Sequence, residues 1–142
     1  MAGNNHLVSG VVCPNLPQLQ RRLRVALGEE PGDLLLTGGR VVNVFTGEVE
    51  PADVVIADGW IAGVGPGGWQ GTRTIDVAGR YVLPGLIDAH IHIESTLLAP
   101  AELCRLMVPR GTTALIADPH EMANVLGVQG IDLLLHATEG LP

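Results

Sequence analysis

The residues of this chain best suited to hold a metal ion are two histidines separated by one residue, in Asp88-Ala89-His90-Ile91-His92-Ile93-Glu94. In an extended segment successive side chains alternate faces, so Asp88, His90, His92 and Glu94 share one face and Ala89, Ile91 and Ile93 the other. Two imidazoles so spaced at a strand end can both reach one divalent cation. The competing reading is an ordinary half-buried strand whose polar side meets water. Against it, the apolar run from Tyr81 to Ile87 leads straight into the pair. A strand buried on both faces cannot cheaply carry two histidines without a metal or hydrogen-bond partners.

A second cluster, Ala117-Asp118-Pro119-His120-Glu121, follows another apolar, β-rich run. Two readings stand side by side. One is an Asp-Pro turn opening a helix with an acidic first turn; the other is a group of functional side chains at the same sheet edge as the histidine pair. His120-Glu121-Met122-Ala123-Asn124 begins like a zinc-protease H-E-x-x-H helix, but Asn124 stands where the second histidine is required. The remaining candidates are weaker. His136, beside Leu133, Leu134 and Leu135, reads as a helix-surface or hydrogen-bonded core histidine, and His6 as solvated. Ser95 and Thr96 have no neighbouring base in chain order. Arg110-Gly111-Thr112-Thr113 reads as a helix-to-strand turn.

The elements that must position these groups can be read from periodicity and punctuation. Residues 1–14 show no sustained period and read as a flexible leader. Over 15–30, Asn15 is a plausible N-cap and Leu16, Leu19, Leu23 and Leu27 recur at helical spacing, which predicts a short amphipathic helix. From 31 to 83 apolar residues come in short bursts: Leu34–Leu36, Val41–Phe45, Val54–Ala57, Ile61–Val64, Ile75–Val77 and Tyr81–Leu83. Gly38-Gly39, Thr46-Gly47, Asp58-Gly59 and Gly65-Pro66-Gly67-Gly68 punctuate them as hairpin turns do. A small antiparallel sheet or sandwich-like β-rich domain is expected, with Trp60 and Trp69 as packing residues.

From Pro84 the rhythm becomes strand, helix, strand, helix: Leu86–Ile93, Pro100–Val108, Thr112–Ala117 and about Val125–Thr138. That order predicts an α/β arrangement, the first two βα units of a TIM-like (β/α)8 barrel over 84–142. Ligands of such barrels gather at the C-terminal ends of the strands.

Composition narrows the function classes. With 142 residues, 46% hydrophobic and 16% charged, the chain is too apolar for disorder and too short for an eight-stranded barrel of its own. Fifteen acids against eight bases, a formal charge of −7, repel phosphate backbones and anionic headgroups, which excludes nucleic-acid and membrane-surface partners. All eight basic residues are arginine, so no lysine is available for a Schiff base or a carbamate bridge between metals. Cys13 and Cys104 are too few for a disulfide framework, and no secretory signal or spanning segment is legible. A cytoplasmic location is expected.

With these residues in place, Pro84-Gly85-Leu86-Ile87-Asp88-Ala89-His90-Ile91-His92 resembles the first barrel strand of the amidohydrolase superfamily. The resemblance narrows to its adenine deaminase family. His92-Ile93-Glu94-Ser95, Pro109 to Thr113, Ile116 to Glu121 with Ala123 to Gly127, Glu139 to Pro142 and Val41 to Glu48 are similar to that family. It covers about Leu23 to Pro142. It implies hydrolytic removal of the 6-amino group of adenine, giving hypoxanthine and ammonia in purine salvage. It also implies a two-metal site, manganese or iron before zinc, and a cation-activated water.

By the same resemblance His90 and His92 hold the first metal. Glu94, Asp118, His120 and Glu121 are either ligands of an additional ion or groups bonded to the ligands, and His120 and Glu121 are the candidates for moving protons. Adenine is the implied small-molecule partner and a homo-oligomer the implied assembly of the complete enzyme. Such a barrel has eight strands and the sequence supplies two. The expectation is therefore an N-terminal portion, inactive alone, either truncated or completed by a second polypeptide. Two other readings remain: a cyclic-amide hydrolase such as a dihydroorotase or hydantoinase relative, which leaves Asp118 to Glu121 unexplained, and a non-catalytic assembly module.

Overall fold

A computed structural model describes residues 15–141; the leader over 1–14, with His6 and Cys13, and Pro142 lie outside the described residues. The described chain divides after Leu83 into two compact units. In the first, helix α1 (Leu16–Ala26) starts where Asn15 and Gln18 cap each other. The Asn15 side chain accepts from the Gln18 amide at 3.0 Å, and the Gln18 side chain accepts from the Asn15 amide at 3.1 Å.

The face this helix docks differs from the expected one. Leu16, Leu19, Leu23 and Leu27 are 66%, 45%, 55% and 72% exposed, whereas Val25 is fully buried. Ion pairing decides the orientation. The Arg21 guanidinium meets Glu30 at 2.9 Å, Asp33 at 2.6 Å and Asp58 at 2.6 Å, and Arg22 lies 4.8 Å from the Trp60 ring. Turning the leucines inward would strand those charges away from their carboxylates.

Strands β1 (Gly32–Val42), β2 (Val49–Ala57), β3 (Trp60–Gly65), β4 (Gly71–Asp76) and β5 (Tyr81–Val82) form one sheet in the order β3-β2-β1-β4, with β5 also on β1. Two expectations are corrected. The sheet is mixed: β1–β2 and β2–β3 are antiparallel, but β4 and β5 run parallel to β1. β2 already occupies one edge of β1, so the later strands take the other edge, and turn chemistry does not encode that choice. Gly38-Gly39, expected to close a hairpin, is instead a bulge inside β1 that joins two apolar bursts into one strand. Gly38 adopts φ +67° there, and its amide donates to the Asp53 carboxylate at 3.0 Å.

Val25, Leu35, Val55 and Ala57 make the core, with Trp69 packed against them and its indole N–H donating to the Ala26 carbonyl at 3.0 Å. The packing role expected of Trp69 holds. Trp60 remains 46% exposed under Arg22.

In the second unit β6 (Leu86–Ile91) and β7 (Thr112–Ala117) pair in parallel around α2 (Pro100–Met107), followed by α3 (His120–Leu126) and α4 (Val128–Thr138). β6 ends two residues earlier than expected. The chain turns at Glu94–Thr96 into a 3-10 turn held by the Thr96 hydroxyl donating to the Ile93 carbonyl at 2.6 Å. The single helix expected over Val125–Thr138 is two helices. Gly127, at φ 64° and ψ −150°, ends one and begins the next. Among the described residues, no helix is long and apolar enough to cross a membrane.

Candidate metal centre

His90 is the penultimate residue of β6, and His92 stands just past its end. The ladder between β6 and β7 runs to Ile91 opposite Ala117, and one further hydrogen bond, Asp118 N–H to the Ile91 carbonyl at 3.0 Å, extends it beyond both strands. That bond sets the Asp118 carbonyl beside the His92 ring, 2.7 Å from Nδ1. A carbonyl oxygen only accepts, so Nδ1 carries a proton, and the tautomer this contact favours in the neutral ring has its lone pair on Nε2.

The Nε2 atoms of His90 and His92 lie 3.1 Å apart, with the rings edge-to-face at a centroid distance of 4.7 Å. Two imidazole nitrogens bound at about 2.1 Å to one cation are separated by about 3.0 Å at a right angle and about 3.4 Å at the tetrahedral angle. The observed spacing falls in that interval. Asp118 completes a group of three, with one ligand atom from each residue within 4.8 Å of the others. The donor set, two imidazole nitrogens and a carboxylate, suits a divalent transition metal, so the residues present fit the ion that the family resemblance implies.

His120 of the second cluster joins the same group. The His120 ring stacks edge-to-face on His92 at 4.6 Å, and its Nδ1 lies 3.3 Å from the Asp118 carboxylate. Glu94 and Glu121 are joined to each other instead. Glu94 leaves the expected shared face because it sits in the 3-10 turn. There its Oε1 accepts the amides of Glu121 at 3.0 Å and Met122 at 3.4 Å, at the start of α3. Its own amide first, then those of Met122 and Glu121 and the nearby His92, hold the Glu94 carboxyl below the usual carboxylate range, against partial desolvation.

Asp88, expected on the histidine face, accepts the His90 amide at 3.1 Å. His136 lies on α4 with Nδ1 at 2.7 Å from the Asp132 carbonyl, a satisfied helix histidine away from the pair. Sequence reasoning set Ser95 aside for want of a base, yet its hydroxyl donates to Glu121 at 2.7 Å. Twenty-six residues separate the two, and no local pattern in the sequence signals the contact.

Residues 81–142 match the family model described as Amidohydrolase family. Over 118 residues the chain is 53% identical to the adenine deaminase of Kosmotoga olearia, covering 83% of this chain and 20% of that protein. The chain spans about a fifth of the length of the curated relatives it matches, 20% and 22% for two of them.

Among solved structures, a D-aminoacylase that defines a novel subset of amidohydrolases is 34% identical with a TM-score of 0.53, over 61% of this chain and 18% of that one. An N-acyl-D-glutamate deacylase from Bordetella bronchiseptica, complexed with zinc and a phosphonate inhibitor, is 28% identical with a TM-score of 0.53, over 62% and 19%.

Proposed function

We propose that this chain provides the first metal-holding pair of an adenine deaminase, which converts adenine and water to hypoxanthine and ammonia. The observation that carries this reading is the pair of Nε2 atoms 3.1 Å apart, with the Nδ1 of His92 turned to the Asp118 carbonyl so that its Nε2 faces His90, in a segment similar to adenine deaminases. A divalent cation, manganese or iron, supplies an activated water and polarises the reacting centre.

His90 and His92 hold that ion, with the Asp118 carboxylate beside them. In the reaction a bond forms between C6 of the purine and the water oxygen, and the bond from C6 to the exocyclic nitrogen breaks. A proton must leave the water and reach the departing amine. His120, paired with Asp118, and Glu121, held by Ser95, are the candidates to carry it. Three donors leave a four-coordinate ion short of a ligand and supply nothing for a second ion. The remaining donors come from outside these two βα units, in a longer polypeptide or a second chain, and the complete enzyme assembles as a homo-oligomer.

The test is a chimera in which this chain replaces the matching residues of the Kosmotoga olearia adenine deaminase. It should release ammonia from adenine, and His90→Ala or His92→Ala should each lower bound metal and cut turnover at least about 100-fold. Turnover of hydantoin or dihydroorotate in place of adenine would establish the cyclic-amide hydrolase reading instead. Full turnover after both histidines are replaced would overturn the metal pair.

A further inference from the structure

Glu94 and Ser95 are adjacent in the loop after β6, and both grip the residue that opens α3 after β7. The Glu94 carboxylate takes the Glu121 amide at 3.0 Å, and the Ser95 hydroxyl donates to Glu121 Oε1 at 2.7 Å. One loop therefore fixes both the backbone and the side chain of Glu121. We propose that Ser95 is a positioning residue that sets the orientation of the Glu121 carboxylate at the start of α3.

The chemistry favours this role over that of a nucleophile. A hydroxyl whose proton is directed at a carboxylate is a donor, and O–H···O⁻ bonds near 2.7 Å are among the stronger hydrogen bonds. Glutamate has three rotatable side-chain bonds, and Glu121 is exposed, so packing alone does not hold its carboxylate. Only one oxygen is engaged, which leaves Oε2 and the negative charge available. The placement matters because a group that moves a proton must lie within hydrogen-bond reach of its donor and acceptor.

The inference rests on the proton-carrying part of the function proposed above, and its test separates the two. In the chimera, Ser95→Ala should keep the parent's metal content and thermal midpoint, lower kcat about tenfold and leave KM within about twofold. Ser95→Thr, which retains the hydroxyl, should restore kcat. In a Glu121→Ala background the same Ser95→Ala change should have less than a twofold further effect, because the hydroxyl then has nothing to orient. Crystals of the manganese-loaded Ser95→Ala chain should show the Glu121 carboxylate rotated or in several conformers.

Equal losses in both backgrounds, no loss in either, or a Glu121 carboxylate unmoved in the Ser95→Ala crystal would overturn the proposal. Failure of the metal reading would show differently, as metal retained after His90→Ala and His92→Ala. Absence of adenine turnover would leave the crystallographic arm to decide Ser95 alone.

Discussion

A backbone carbonyl selects which nitrogen of His92 faces His90. Asp118 acts twice, with its carbonyl on Nδ1 of His92 and its carboxylate grouped with the two histidines and within reach of His120. The two roles can be separated. Asp118→Asn keeps the carbonyl and removes the charge, so manganese should still bind, about 10 to 100 times more weakly, by isothermal titration.

Glu94 makes a prediction in pH. Its folded carboxyl sits below the usual range because backbone amides favour the charged form. Its contribution to stability is therefore complete above the ordinary glutamate value, about 4.3, and is lost as pH falls through the lower folded value. Urea midpoints of the parent should drop through that acidic window. Glu94→Ala should start lower at neutral pH and lose less on acidification, and equal slopes for the two proteins would contradict this account of the Glu94 carboxylate.

At the scale of elements, α1 shows how charge can outvote an apolar stripe. Leu16, Leu19, Leu23 and Leu27 have the right spacing for a buried face, but Arg21 can satisfy three carboxylates only if the opposite side docks. Val25→Ala should therefore cost about 1.5 to 3 kcal/mol in denaturant unfolding, while Leu19→Gln should change it by less than about 0.5 kcal/mol. The reverse ranking would mean that the leucine face is the packed one. Arg21→Met should cost about 1 kcal/mol, the screened value for partly exposed pairs.

The same lesson applies to β1. Its two glycines look like a turn, and only the Asp53 carboxylate, brought from β2, makes them a bulge. The strand-helix-strand rhythm of the second unit was legible because apolar bursts, Pro100 and Gly111 mark the ends of its elements locally, and β7 spans the expected residues. The break at Gly127 was not, since helical spacing continues across it.

For the whole molecule, the two-stranded parallel sheet leaves much apolar surface in water. Leu86, Ile87 and Ile116 are 54%, 66% and 59% exposed, and Leu97, Val125 and Val128 more so. Parallel strands are ordinarily covered on both faces, and contiguous exposed apolar patches drive association. Static light scattering of the isolated chain should give a mass above 14.9 kDa that rises with concentration. A concentration-independent monomer would mean that this surface is already covered.

The amino-acid order alone determined the histidine pair, its place at the end of a strand and the family it resembles, because residue type and spacing along one strand are local properties; the burial expected of that strand is not found, since Leu86 and Ile87 are exposed. Tertiary structure decided what those residues do to one another. The carbonyl that fixes the His92 tautomer, the His120 ring against it and the Ser95 hydroxyl on Glu121 all join the loop after one strand to the segment after the next, 26 residues or more away. Parallel pairing brings those ends together, and its register depends on every contact along the two strands at once.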